Sequence, residues 1–389
     1  MEISRSEFKK NTRLLLGAVA EDLLSTVVPG TNTAKQLFKR MQPEWTSPNH
    51  YLRWDDTFAM LAFYHDEQGR CLRFSYDNRK FFIPQVMELS NRENTIPVAN
   101  IRLKSNSNHF NIDNELLALS NRPFKLYKRF LKSRGKKYYN GQLLRLKDLH
   151  SSESKVELVV QPVFYEQVCR TNLILDAKEK GIGRSIRETV SPDGSLEPLI
   201  NSRLANSLGM NFLLFTADGR AVMPKRSRRV IVRSGQLSPS FSGVMEYTDS
   251  GSIKVHQNVL IREGFEEINL LEQHLLKDSI RFLGISRELI RGGKPEMFFT
   301  ARTSLSVEDF KRMHKTALDR YEFTHPRYWV FWDFGNSALS ETLTPNDSYS
   351  LRRAFERLLQ KHGAEISVPL LTNLVLWLGQ QLGDEFSGQ

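Results

Sequence analysis

One short segment with helical spacing constrains how this chain can fold. In residues 256–270 three carboxylates, Glu263, Glu266 and Glu267, stand at positions i, i+3 and i+4, so a helix there places them on one face. We predict that an apolar stripe occupies the opposite face, and it consists of Ile261, Phe265 and Ile268. Carboxylates on one helix face repel each other, and a hard divalent ion with oxygen ligands relieves that repulsion. The sequence therefore leaves two interpretations, a metal-binding helix and a solvated acidic helix face.

Length and charge bound the classes of fold and partner. A chain of 389 residues is too long for one ordinary core and predicts two or three domains. Its hydrophobic share of 40% and aromatic share of 10% are those of a folded protein rather than a disordered one. The formal net charge of +11 favours anionic partners, among them nucleotides, nucleic acids and phosphorylated metabolites.

Cysteine usage and hydropathy exclude several classes of protein. The two cysteines, Cys71 and Cys169, have no metal-ligating partner at short spacing, which excludes disulfide scaffolds and zinc ribbons and indicates a reducing compartment. The first 28 residues carry charges on both sides of their apolar residues, unlike a signal peptide. No run of the sequence approaches the roughly 18 apolar residues of a membrane helix. We expect a cytoplasmic protein without a membrane partner.

The first 150 residues are predicted to form an α+β domain, to which the sequence assigns no role. Helical spacing covers residues 6–27 and 32–41, and each segment is followed by a proline. Strands are predicted over residues 71–76 and 81–84, and residues 66–69 are typical of a hairpin turn before the first of them. This pattern predicts a small antiparallel sheet.

The end of this first domain is strongly basic. Residues 122–147 carry many lysines and arginines and no acidic residue. Basic side chains interleaved with aromatic ones suit phosphate contacts and base stacking, so a nucleic-acid surface is one interpretation. The residues selected for that role are Lys128, Arg129, Lys136 and Lys137. In the other interpretation, aromatic and aliphatic residues form the buried face of a helix and the lysines only face solvent. Those buried residues are Phe124, Tyr127 and Leu131.

A second domain is predicted over residues 151–345, with C-terminal helices over residues 346–389 packed on it. Asp218 and Gly219 predict a hairpin turn between two of its strands. The last helix is apolar on most sides, so it is either buried within the subunit or an oligomer contact. We predict strands over residues 155–165, 171–176, 211–216, 221–224, 297–301 and 327–334, and helices over residues 307–321, 349–362 and 366–378.

Residues 211–270 together resemble the Nudix family. They contain a strand, the hairpin turn, a strand ending in Lys225, Arg226 and Ser227, the loop of residues 238–243, and then the acidic helix. The family signature is GX5EX7REUXEEXGU, in which U is bulky and apolar. The residues that match its second half are Arg262, Glu263, Glu266, Glu267 and Leu270.

This chain departs from the signature at three positions. Gly264 replaces the bulky residue, Asn269 replaces the glycine, and Lys254 replaces the upstream glutamate. Asn269 is a mild change, because asparagine tolerates left-handed backbone geometry better than most residues. Gly243 with Glu246 is similar to the family's loop with extra residues inserted.

The resemblance implies a fold and a metal-dependent activity. The fold is a Nudix-like α/β/α sandwich with a mixed sheet, preceded by the α+β domain. The activity is hydrolysis of a diphosphate linkage in a nucleotide or nucleoside diphosphate derivative, with Mg²⁺ or Mn²⁺. Glu263, Glu266 and Glu267 would hold the metal, and Glu263 and Glu266 would take part in catalysis. Arg262 would orient a carboxylate by a charge-assisted pair.

Further site residues follow from the same resemblance. The family often draws another acidic ligand from a later loop, and Glu296 and Glu322 are equal rivals for that position. Lys225 and Arg226 either contact substrate phosphates or are merely solvated. The departures from the signature also support an alternative function, in which a module of this fold senses or binds a nucleotide or nucleic acid without turnover.

Overall fold

The computed structural model describes residues 60–76, 79–133, 139–177, 183–228, 230, 233–247, 255–335 and 343–383. The helices expected over residues 6–27 and 32–41 lie outside these residues, as do Lys136, Lys137 and Lys254.

The described residues form strands and helices in the following chain order. The strands are β1 (Cys71–Tyr76), β2 (Arg79–Ser90), β3 (Ile101–Ser105), β4 (Gln142–Ser152), β5 (Lys155–Phe164), β6 (Gly209–Phe215), β7 (Arg220–Met223), β8 (Phe241–Val244), β9 (Leu275–Glu288), β10 (Lys294–Thr303) and β11 (Val330–Asp333). The helices are α1 (Asn114–Ser133), α2 (Tyr165–Val168), α3 (Ile186–Val190), α4 (Val255–Ile268), α5 (Val307–Met313), α6 (Pro345–His362) and α7 (Val368–Leu382).

The larger of the two described sheets is mixed and has β6 near its middle. Its strand order is β1, β2, β9, β10, β6, β7, β11, and β8 also pairs with β6. Strands β6 and β10 run parallel, with Gly209 opposite Glu296 and Phe215 opposite Arg302. Parallel neighbours need a long connection, and the chain between these two strands contains β7, β8, α4 and β9.

Helices cover both faces of this sheet. On one face α4 contributes Leu260 and Ile268 to a core that includes Phe212 of β6. On the other face α7 packs Leu371 against residues that include Phe298 of β10. The expected fold class, an α/β/α sandwich with a mixed sheet, is confirmed. The last helix is buried within the chain because its apolar residues occur on all sides and only a covered position removes them from water.

A smaller sheet of three strands has the order β3, β5, β4. Its residues Leu146 and Leu158 belong to the same core as α4, so the small sheet packs on the α4 side of the molecule. Strand β4 runs through residue 150, and β1 and β2 belong to the large sheet with β6. The division of the chain into domains at residues 150 and 345 stays a prediction.

Three local expectations are wrong. The strand expected over residues 171–176 is a π-helical turn, Cys169–Leu173, in which the Thr171 hydroxyl donates to the Gln167 carbonyl at 2.8 Å. The turn expected over residues 66–69 lies in a 3₁₀ helix, His65–Arg70. Helix α5 begins after its N-cap, Ser306, but ends at Met313 rather than near residue 321. In the described part of the chain, no helix has the length and apolar character needed to cross a membrane.

Arg187 connects three separate parts of the chain. Its buried guanidinium donates to both Asp176 oxygens at 2.6 and 2.7 Å and to the Tyr64 hydroxyl at 2.9 Å. It also donates to the backbone carbonyls of Leu289 and Ile290, each at 2.7 Å. These bonds compensate the loss of hydration of a buried charge.

We expect the Arg187→Gln substitution to lower the free energy of unfolding by about 3–5 kcal/mol, because it leaves Asp176 and the carbonyls without their donor. The control is Arg184→Gln. Arg184 is 58% exposed and pairs with Glu115 on the surface, so we expect a loss below about 1 kcal/mol. Urea denaturation measures both values, and equal losses would contradict the structural role of Arg187.

Candidate active site

Glu263 and Glu267 lie on the face of α4 that packs against the sheet. They are 9% and 4% exposed, and they share this face with Leu260 and Ile268. The backbone N–H of Ser242 on β8 donates to Glu267 Oε2 at 3.0 Å. The expectation that the carboxylates stand opposite the apolar stripe is therefore wrong for these two residues.

Phe265 also departs from the predicted stripe. It is 38% exposed, whereas Ile268 is fully buried and Ile261 is half-buried against the core. A helix has one side toward the sheet, and the two buried glutamates occupy part of it. Phe265, which was expected to belong to the buried apolar stripe, is therefore displaced toward solvent.

Gly243 makes room for the Glu263 side chain. A Cβ atom at position 243 would lie 1.9 Å from Glu263 Oε1 and 2.4 Å from its Cγ. Contacts this short are excluded by van der Waals repulsion, so any larger residue would displace the carboxylate. Gly243 belongs to the loop that resembles the Nudix family, and the close approach of α4 to β8 is the structural reason for a glycine there.

Arg262 lies among the carboxylates. Its Nη1 donates to Glu263 Oε1 at 2.7 Å and lies 3.5 Å from Glu246 Oε1 and 3.7 Å from Glu266 Oε2. Its Nη2 donates to the Val244 carbonyl at 3.2 Å. The charge-assisted pair expected between Arg262 and a carboxylate is present, and Glu263 is its acceptor.

Glu322 joins Glu263, Glu266 and Glu267 at this site, and these four residues are called the acidic cluster below. The Ser227 N–H donates to the Glu322 carbonyl at 2.7 Å, and Arg226 Nη2 donates to Glu322 Oε2 at 2.9 Å. The negative charge of Glu322 contributes to raising the pKa of both Glu263 and Glu267. Of the two rivals for a later acidic residue, Glu322 is the one that the fold brings to the helix.

Glu296 lies on the other face of the sheet. Side chains alternate along a strand, so Glu296 points to the same side as Phe298, toward α7. There it contacts Arg291, and Lys294 Nζ lies 3.3 Å from its Oε1. Of the two candidates, Glu296 therefore does not lie with the α4 carboxylates, and substrate binding by Glu296 stays a prediction.

Of the two basic residues at the end of β7, only Arg226 contacts the acidic cluster. Lys225 Nζ instead donates to Glu365 Oε1 at 2.9 Å. Substrate binding by either residue stays a prediction.

Burial and mutual repulsion raise the pKa values of two carboxyls. Burial raises the pKa of Glu263 to about 8, and Glu266 and Glu322 add to this shift while Arg262 opposes it. Burial, followed by the charges of Glu322 and Glu263, raises the pKa of Glu267 well above its ordinary value. Glu263 therefore retains its proton near neutral pH unless a cation approaches it, and Glu267 ionises less readily than an exposed glutamate.

The atoms that the acidic cluster can offer to a metal ion are all carboxylate oxygens, which hard divalent ions prefer as ligands. Within the described ranges, no three His, Cys, Asp or Glu side chains are already arranged around one ion position. Arg262 supplies a positive charge among the carboxylates instead. The carboxylate oxygens thus fit Mg²⁺ or Mn²⁺ in their chemistry, while the Arg262 guanidinium lies between Glu246, Glu263 and Glu266.

The end of α4 explains one departure from the family signature. Asn269 has a φ of 58°, in the left-handed region that favours glycine or asparagine. The Asn269 N–H donates to the Phe265 carbonyl at 3.0 Å, and the Leu270 N–H donates to that of Gly264 at 2.8 Å. Asparagine therefore ends this helix in a backbone conformation that glycine also adopts readily.

Lys128 and Arg129 are exposed on α1, while Phe124 and Tyr127 are buried in the core beneath it. The interpretation of the aromatic residues as core is confirmed, so these two rings are not available for base stacking. Nucleic-acid binding by the basic side chains stays a prediction.

We expect the stability of the protein to fall as the pH rises from about 4.5 to about 8. The pKa of Glu263 is about 8 in the folded protein and 4.5 ordinarily, so in this range the folded state holds a proton that the unfolded state has released. The free energy of unfolding of Glu263→Gln should depend less on pH. Urea denaturation across this range tests it, with the exposed Glu272→Gln as control. If the free energy of unfolding changed equally with pH in wild type and in Glu263→Gln, the raised pKa of Glu263 could not be the cause of the pH dependence.

We also expect Gly243→Ala to lower the free energy of unfolding by about 1–3 kcal/mol, because the added methyl group overlaps the Glu263 carboxylate. The control is Gly69→Ala, where nothing lies within 4 Å of the new atom. There we expect a change within about 0.5 kcal/mol. Thermal and urea denaturation measure both changes. An unchanged free energy of unfolding in Gly243→Ala would show that the Glu263 carboxylate does not need the space left by the glycine.

No family model and no curated protein matches this chain. DR0079 from Deinococcus radiodurans is similar in structure at 14% identity, over 38% of this chain and 83% of that protein, with a TM-score of 0.23. Tm1382, which has been proposed to be a Nudix hydrolase, is similar at 14% identity, over 40% of this chain and 71% of that protein, with a TM-score of 0.24. Likenesses this distant carry no argument about activity.

Proposed function

We propose that this chain is a metal-dependent hydrolase that cleaves a diphosphate linkage in a nucleotide or nucleoside diphosphate derivative. The observation that carries the proposal is the burial of Glu263 and Glu267 beside Glu322. Burial first, and repulsion between the carboxylates second, raise the pKa of Glu263 and Glu267. Carboxyls with strongly shifted pKa values occur at functional sites more often than elsewhere. Burying several acids together is unfavourable for stability alone, and a bound cation provides a reason for it.

The ion would be Mg²⁺ or Mn²⁺, held by Glu263, Glu266 and Glu267 with Glu322 beside them. When bound, such an ion neutralises phosphate oxygens and lowers the pKa of a coordinated water molecule. Because the ion favours ionised carboxylates, its affinity should increase with pH as Glu263 and Glu267 lose their protons.

The remaining roles follow from exposure and contacts. Glu266 is the more exposed carboxylate of α4, with 34% of its side chain accessible, so it can accept a proton from an attacking water molecule. Arg262 holds Glu263 in a fixed orientation through their hydrogen bond. Arg226, fixed by Glu322, can neutralise a phosphate oxygen of the substrate.

The second candidate function is a module that binds or senses a nucleotide without turnover. The observation that favours it is the position of Arg262. Its guanidinium already forms an ion pair with Glu263 and lies near Glu246 and Glu266. In this function the carboxylates stabilise the loop and helix, and the site has no need of a metal ion.

The two functions are separated by assaying product release from nucleoside diphosphate derivatives with Mg²⁺ or Mn²⁺. For the hydrolase we expect Glu266→Gln and Glu267→Gln each to lower kcat by at least about 100-fold, because each removes a carboxylate from the ion or from water. The matched control is Glu308→Gln on α5, whose side chain is 74% exposed and pairs only with Lys311 at 2.6 Å in the described contacts. It should retain wild-type activity.

Two outcomes would contradict the hydrolase proposal. One is the absence of product from every substrate with either metal. The other is turnover that Glu266→Gln and Glu267→Gln leave unchanged. Nucleotide binding without product, retained in both variants, would support the binding module instead.

A further inference from the structure

Helix α1 has an exposed surface that is basic along its second half. Between residues 116 and 147 the sequence contains no aspartate and no glutamate. Among the residues of α1 after residue 120 whose burial the structure describes, every exposed one is basic except Asn121. The basic ones are Arg122, Lys125, Lys128, Arg129 and Lys132. This part of the helix therefore presents positive charge with no acidic side chain of its own.

Three of these side chains lie in one stripe along the helix. Lys125, Arg129 and Lys132 follow each other at intervals of four and three residues, which places them on the same side. The stripe is about 11 Å long, since two helical turns separate its first and last residues. These three residues are called the basic stripe below.

The cations of the basic stripe have no acidic partner in the described part of the chain. There, none of the three side chains forms an ion pair, a hydrogen bond or a ring contact. Two neighbouring cations differ in this respect. Lys128 Nζ lies 4.8 Å from the centroid of the Phe124 ring, and Arg170 Nε donates to Glu166 Oε1 at 2.8 Å. The charge of the basic stripe is therefore available to an external anion.

The opposite side of α1 holds the stripe in place. Phe124, Tyr127 and Leu131 are buried in one core with Cys169 of the π-helical turn and Ile186 of α3. Because the helix is anchored by this core, its three cations keep their spacing when a ligand approaches. The aromatic rings are on the buried side, so an anion on the stripe is held by charge and not by stacking.

A nucleic-acid duplex fits this surface better than other polyanions. A duplex carries one negative charge per about 1.7 Å of its axis, so a stripe of about 11 Å meets several phosphates at once. A single strand gains much of its affinity by stacking bases on aromatic rings, and the core rings of α1 are buried. Helices that bind a membrane surface insert apolar side chains, and the exposed residues described on this part of α1 include none.

We propose that the basic stripe of α1 binds the phosphate backbone of a nucleic-acid duplex without selecting its base sequence. Contacts to phosphates position a duplex on a protein but carry no sequence information directly. Of the residues selected from the sequence for nucleic-acid binding, Arg129 belongs to the stripe, whereas Lys128 lies over a ring of the core. The proposal does not depend on hydrolysis at the acidic cluster.

The test is fluorescence anisotropy of the full chain with a fluorescein-labelled DNA duplex, measured from about 50 to about 200 mM NaCl. We expect saturable binding at the lowest salt concentration and weaker binding as salt increases. Two duplexes of unrelated sequence should bind within about threefold of each other, because the phosphates are the same in both. An unlabelled single strand of the same length should compete less well than the unlabelled duplex.

The first variant replaces the whole stripe, with Lys125→Gln, Arg129→Gln and Lys132→Gln combined. We expect duplex binding at least about tenfold weaker at the lowest salt concentration. If each cation neutralises one phosphate, the slope of log K against log salt concentration should become less steep by about 2.7. Glutamine is a good helix former and the three positions are exposed, so the variant should fold, as thermal denaturation can verify. Each single substitution should change the slope by about 0.9, which provides a second test with less disturbance of the helix.

The matched control removes the same charge from another helix. Arg353, Arg357 and Lys361 are exposed on α6 at intervals of four residues, and Arg353 pairs there with Glu356. With all three changed to glutamine, duplex binding should stay within about threefold of wild type, because exposed charges far from the duplex are screened by salt.

Four outcomes would overturn the proposal. They are absence of duplex binding at the lowest salt concentration, unchanged binding in the stripe variant, an equal loss in the α6 control, and tighter binding of the single strand than of the duplex. Vesicles of phosphatidylcholine and phosphatidylserine provide the remaining comparison. If they retain the protein at a salt concentration that releases the duplex, the stripe is a membrane surface and the proposal is wrong.

Discussion

The packing of α4 on β8 buries the carboxyl groups of Glu263 and Glu267. Hydrogen bonds from neighbouring residues partly compensate for their loss of hydration. Leu260 and Ile268 bring the helix onto the sheet, and Glu263 and Glu267 are carried to the same interface by helical spacing. Gly243 permits the approach, since its missing side chain leaves the volume that the Glu263 carboxylate fills. The energy of apolar burial along the helix thus opposes the cost of placing acids next to it.

Partners for these acids come from three different elements. The β8 backbone donates to Glu267, Arg262 of the helix donates to Glu263, and Arg226 after β7 donates to Glu322. The compensation is incomplete, because burial and repulsion still raise the pKa of Glu263. A site that is electrostatically unsatisfied by its own protein groups favours a cationic ligand, which is the physical basis of the proposed metal dependence.

The opposite face of the sheet holds a buried network in which the named cations outnumber the carboxylates. Arg233 Nη2 donates to both oxygens of Glu288, at 3.0 and 3.1 Å, and Arg291 contacts both Glu288 and Glu296. Lys294 also contacts Glu296, and burial lowers the pKa of Lys294 to about 8. Three cations here face two carboxylates, so Glu296 is compensated by protein groups. The contrast explains why Glu322, rather than Glu296, belongs to the candidate site.

Local sequence patterns determined the elements whose structure depends on near neighbours. The hairpin turn at Gly219, the Ser306 cap of α5, the all-round burial of α7 and the left-handed Asn269 follow from spacing and from backbone preference. The same spacing placed Glu263 and Glu267 on one helix face, because a helix has a fixed number of residues per turn.

Only the tertiary structure decided which side of that helix is buried and which later glutamate approaches it. These features depend on pairing between distant parts of the chain, such as the hydrogen bond from Arg226 to Glu322 across 96 residues. Periodicity reports the faces of an element but not the partner that covers them, so the exposure of Phe265 had no local signal. The partner is selected when all the elements compete to bury their apolar faces in one core.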